Sequence, residues 1–216
     1  MIAAARWPPA SGLLAAAALS LTGLIAPPPP VAGAPGATVV AYYAAHQVSL
    51  EVESLIDAVG MTLLIVFAGT LQARLKSTTS STAFGAACVV AACTLVQVAA
   101  FQAHAYGLES DPSQAALLND FQAFAFQVTT FPSLVFLAAS SVGILATRSL
   151  PRWLGLAGAA AAALQAVSWI SFFATTGSLA AGGIPDIMSF VALLAWVAAC
   201  SVAMLVSGRQ PGQPIS

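Results

Sequence analysis

Residues Thr38–Arg74 read TVVAYYAAHQVSLEVESLIDAVGMTLLIVFAGTLQAR, and no proline interrupts them. At about 100° per residue, Tyr42, His46, Glu53, Asp57 and Gly60 fall within an arc of roughly 60°, while Glu51 points to nearly the opposite side. The segment is therefore one long helix with a polar stripe along its first half. From Met61 to Ala68 the stripe gives way to an unbroken apolar run of the kind that sits in lipid. The helix stands half outside the bilayer and half within it.

Composition extends this reading to the whole chain. Of 216 residues, 59% are hydrophobic and only 6% are charged, against about 25% charged residues in a soluble domain. Mean hydropathy is +0.91, so the expected partner is the lipid bilayer. Six Lys and Arg residues and a net charge of −1 leave no basic patch for a run of phosphates, which excludes nucleic acid. Cys88, Cys93 and Cys200 lie in apolar runs without CxxC or Cys/His spacing and read as packing residues.

Outward from the central helix, six spans are expected at about 11–26, 54–74, 83–106, 123–147, 151–175 and 185–207. The fold class is all-α, a polytopic membrane helical bundle forming a single domain over 1–216, with the second helix extended on its outer side. Pro27-Pro28-Pro29-Pro30 cannot be helical, so 27–37 reads as an extended outer loop. Ala32-Gly33-Ala34 resembles a signal-peptide cleavage pattern, but Pro35 directly after it favours a retained first span. Pro132 should kink a long fourth helix near Phe131. Gly155 and Gly158 give the fifth span a thin face for close helix packing.

With six spans and an inner amino terminus, Arg6, Arg74, Lys76, Arg148, Arg152 and Arg209 all fall on one side. The positive-inside rule makes that side cytoplasmic. The expectation is a multi-pass protein of the cell (plasma) membrane with both termini in the cytoplasm. Glu51, Glu53, Asp57, Glu109, Asp111, Asp120 and Asp186 then lie on or near the outer side. Counting at 1.5 Å per residue from Arg74 puts Asp57 about 25 Å up and Glu53 about 31 Å up, at the edge of a hydrocarbon layer about 30 Å thick.

The candidate site is an outer polar mouth: Tyr42, His46, Glu53 and Asp57 on the second helix, His104 on the third, and Asp120 on the fourth. Imidazoles and carboxylates could hold a divalent metal or act as acid and base. However, His46 and Glu53 are seven residues apart and no HExxH pattern is present. Gln97, Gln127 or Thr130 could instead satisfy Asp57 by a hydrogen bond between helices. No sequence motif implies a cofactor or names a catalytic residue. The leading reading is a non-enzymatic protein that binds a small ligand, a lipid or a protein partner at this mouth, the partner being another membrane protein or a second copy. A small transporter or channel component comes second, and an intramembrane enzyme or metalloprotein third.

Four motifs carry a family resemblance: Tyr42-Tyr43-Ala44-Ala45-His46, Leu71-Gln72-Ala73-Arg74-Leu75, Phe131-Pro132, and Leu150-Pro151-Arg152-Trp153-Leu154-Gly155. Together they resemble the six-span integral membrane proteins common in actinobacteria that are grouped as domain-of-unknown-function families. The resemblance implies an architecture over nearly the whole chain and no reaction.

Overall fold

A computed structural model describes residues 7–107, 111–174 and 177–207. Its helices are α1 (Trp7–Ile25), α2 (Gly36–Leu75), α3 (Thr78–Ala105), α4 (Pro112–Val128), α5 (Thr130–Thr147), α6 (Arg152–Ser168) and α7 (Ile184–Ser207). Short 3-10 turns at Trp169–Phe172 and Gly177–Leu179 lie between α6 and α7. Among the described residues there is no strand. Six helical segments are long and apolar enough to cross a membrane, with α4 and α5 counting as one.

α2 runs for 40 residues without a break, which is about 60 Å of helix and twice the thickness of a hydrocarbon layer. α1 is helical from Trp7, the first described residue, which is earlier than the expected residue 11. The fourth helix is interrupted at a single residue: α4 ends at Val128 and α5 starts at Thr130, with Thr129 between them at φ −62° and ψ −19°. The break lies two residues ahead of the expected point, Phe131, because the Pro132 ring excludes the carbonyl four residues earlier, that of Val128.

The membrane helices form a closed ring. Each packs on its neighbours in the order α1, α2, α3, α5, α6, α7 and back to α1, while α4 leans over α2 and α3. Close approach is built from small residues on one seam: a Cβ on Gly158 would come 2.3 Å from Ser141 Oγ and 2.6 Å from Trp196 Nε1. The Trp196 indole donates to the Leu154 carbonyl at 2.9 Å and meets Phe136 edge to face at 5.7 Å.

Up-and-down connectivity brings Arg74, Lys76, Arg148 and Arg152 to one end of the ring. Arg74 ties that end together, donating to Ser207 Oγ at 2.8 Å and to the Ser149 carbonyl at 3.4 Å. Arg6 and Arg209 lie outside the described residues, as does Glu109. Toward this basic end the ring interior is solid, filled by Leu64, Phe67, Leu71, Phe136, Leu137 and Ile144, all buried. The exterior is apolar, with Leu24, Leu55, Val142 and Val167 among the exposed side chains, as a lipid-facing surface requires.

Candidate functional site

At the end opposite the basic residues the ring is hollow. A cavity of about 420 Å³ opens among α1, α2, α3, α4 and α7, beneath the segment Pro27–Val31. Proline rings in a row cannot join a helix, so the chain leaves α1 extended and crosses the mouth before turning into α2. Three contacts hold this strap. Tyr42 donates its hydroxyl to the Pro27 carbonyl, Asn119 Nδ2 donates to the Pro30 carbonyl at 3.1 Å, and Asp120 Oδ1 accepts the Gly33 N–H at 2.8 Å. Gly33 sits at φ 81°, where a side chain would be strained, and this geometry points its N–H toward α4.

Beneath the strap, the polar stripe of α2 supplies two carboxylates, Glu53 and Asp57, one helical turn apart on the cavity wall. Thr22 of α1 reaches the Asp57 carboxyl while its hydroxyl also lies 2.9 Å from the Leu19 carbonyl. Thr94 and Gln97 of α3 and Gln122 of α4 add neutral polar groups, and most of the remaining lining is apolar. Among the described residues no Lys, Arg, His or Cys lines the cavity. Its floor is Met61, Phe190 and Leu194, above the solid half of the ring.

The six residues singled out in the sequence divide into three groups. Glu53 and Asp57 face the cavity together. Tyr42 and Asp120 hold the strap from outside and do not line the cavity. His46 and His104 belong to aromatic packing. The His46 ring lies 4.7 Å from that of Tyr42, and its Nδ1 is 2.8 Å from the Tyr42 carbonyl, which makes Nδ1 the protonated nitrogen. His104 is buried and stacks on Tyr43 with centroids 3.7 Å apart and planes 9° from parallel. The stripe's residues therefore share an arc of helix but are distributed over two levels, strap and cavity.

Asp57 is not met by Gln127 or Thr130. Gln127 Nε2 donates to Ser171 Oγ at 2.8 Å, and Thr130 donates to the Gln127 carbonyl and accepts from Trp169 Nε1. Of the three suggested partners, Gln97 alone shares the cavity with Asp57. Among the described residues no three His, Cys, Asp or Glu side chains stand close enough to hold one metal ion.

Two features were not singled out from the sequence. Tyr43 is buried and donates its hydroxyl to Gln122 Oε1 at 2.5 Å, joining the cavity wall to the His104 stack. Asp186 is also buried, with Oδ1 2.9 Å from Ser171 Oγ and Oδ2 accepting the Gly182 N–H at 2.9 Å. It fixes the start of α7, where a helix N-terminus favours a carboxylate. Its signal was Gly182-Gly183-Ile184-Pro185-Asp186, a turn and helix start that places an acid in the first helical turn.

The fold and site define an all-α polytopic membrane protein with a carboxylate-bearing cavity at one end. No protein-family model, curated protein or solved structure matches the chain.

Proposed function

We propose that this protein binds a small ligand in the cavity beneath the proline strap, and that the cavity faces the extracytoplasmic side of the cell membrane. The observation that carries the reading is the cavity itself. Its volume of about 420 Å³ falls in the range of about 300–1,000 Å³ typical of small-molecule sites, and a mostly apolar lining with a few converging polar groups is the usual composition of such a site. The orientation rests on Arg74, Lys76, Arg148 and Arg152, grouped at the opposite end where the positive-inside rule calls for cytoplasm. Binding is favoured over conduction because Leu64, Phe67 and Leu71 of α2, with Phe136 and Leu137 of α5, fill the ring below the cavity. An ion path would need polar groups at that depth.

The test is a cavity-filling substitution. Ala123 is a buried part of the wall on a different helix from either carboxylate, and Ala123→Phe adds the bulk of a ring to that wall. Native mass spectrometry of purified wild type should show a small non-covalent adduct that Ala123→Phe loses while keeping its helical circular-dichroism signal. Identical adduct spectra for the two proteins would reject the cavity as a binding site.

A further inference from the structure

We propose that the ligand is a cationic amphiphile, an alkyl chain bearing one amine, that enters the cavity sideways from the bilayer between α1 and α7. This rests on the cavity being a binding site and names what it takes. The first observation is continuity between the cavity and the lipid-facing surface. Ser20 of α1 and Val191 and Leu194 of α7 line the cavity and also line a separate groove on the outside of the ring. The groove continues along the seam past Ala16 and Ala17 to Leu13, with Ala195 and Ala198 on the opposite side. From Ser20 to Leu13 it runs about 10 Å along α1, and Leu13 and Val191 are exposed. Small side chains on both helices make it a channel for an alkyl chain lying against the protein at membrane depth.

The second observation is charge. The cavity at the head of this groove presents Glu53 and Asp57 four residues apart on α2, where like charges repel. Half-buried carboxylates on a mostly apolar wall are stabilised by a counter-charge, and no cationic side chain among the described residues lines the cavity. An ammonium between the two supplies it, with the Thr94, Gln97 and Gln122 side chains within the same cavity to take its remaining hydrogen bonds. The same arrangement rejects a phospholipid headgroup, since a phosphate there would meet two carboxylates and no Lys or Arg. The strap crosses the axial mouth above, while the seam meets the bilayer, where the alkyl chain of an amphiphile already lies.

The experiment uses the full-length protein in phosphatidylcholine nanodiscs with four probes: dodecylamine, dodecanol, dodecanoate and butylamine. Native mass spectrometry counts the bound probe. A single dodecylamine per protein, retained at least tenfold more than the other three, is the expected result. Glu53→Gln/Asp57→Asn should lower dodecylamine retention at least tenfold, and the single Asp57→Asn provides the same comparison if the double variant does not fold. Ser20→Trp, which blocks the head of the groove, should lower it similarly with both carboxylates in place. Equal retention of dodecanol would show that the carboxylates do not read charge, and equal retention of butylamine would show that the groove holds no chain. Either outcome overturns the proposal. If no probe is retained but Ala123→Phe still removes a co-purifying adduct, the amphiphile is wrong and the cavity reading stands. If Ala123→Phe changes nothing, both fall.

Discussion

Asp111 begins α4 by accepting from the Ser113 hydroxyl and from the backbone N–H groups of Ser113 and Gln114. These bonds, the Ser113 hydroxyl foremost, hold its carboxyl below the ordinary carboxylate range. Because the native value is depressed, the cap's contribution is present above the unfolded value of about 3.9 and is lost as pH falls through the lower native value. Amide exchange at Ser113 and Gln114, compared between pH 6 and pH 2.5, should therefore lose protection at the acid end. Asp111→Asn, which caps without titrating, should make the protection independent of pH. The limits of sequence reading also show at single residues. Glu53 and Asp57 could be paired from the sequence because i and i+4 share a face regardless of what surrounds the helix. Tyr43 lies about 100° from the stripe's first member, off its arc; its bond to Gln122 depends on how α4 folds back over α2, which no local spacing encodes. Tyr42 and Asp120 were recognisable as polar groups at the correct end. Their actual partners are backbone atoms of the strap, and a backbone partner leaves no trace in residue identity.

The two turns at the basic end use the same device. α2 and α5 both end on a cation in the left-handed conformation, Lys76 at φ 48° and Arg148 at φ 52°, whose N–H groups return to Gln72 O and Ile144 O. A cation suits a helix C-terminus, while a β-branched side chain suits that backbone least. Lys76→Val should accordingly melt lower than Lys76→Gly, by an amount equivalent to about 1–2 kcal/mol, in a comparison where both variants lack the charge. On the α5–α6–α7 seam, Gly158→Val should cost about 1–3 kcal/mol through overpacking and disturb the Trp196 bond to Leu154, visible as a shift in tryptophan fluorescence. Gly85, with open space where its Cβ would stand, should tolerate alanine. At the mouth, Asp120→Ala should release the Gly33 N–H, and limited proteolysis should then cut the 27–35 segment faster than in wild type. The presence of six apolar helices was legible because apolar runs and prolines declare themselves. The interruption at Thr129 was placed two residues late, since the proline's effect was assigned to its neighbour rather than to the carbonyl one turn back.

For the whole molecule, the ring order could not be read from hydropathy. Apolar runs specify that six segments enter the bilayer, but lipid and protein neighbours are equally apolar, so which face meets which helix is left to packing detail. What the sequence did carry was the grouping of Arg74, Lys76, Arg148 and Arg152 at one end of the ring, on which the proposed sidedness rests. Single cysteines introduced at Gly33 and Ser77, in a background with Cys88, Cys93 and Cys200 replaced, should behave oppositely in intact cells. An impermeant maleimide should label position 33 and spare position 77 until the membrane is opened. Closing the ring through α1 and α7 has a further consequence for how the protein is made. A chain that enters the membrane amino terminus first completes five sides of the ring before α7 arrives, so the wall containing Ser20, Val191 and Leu194 is the last to form. Until the final helix is released, Glu53 and Asp57 face an open cleft, and the cavity gains its α7 side only in the last step of assembly.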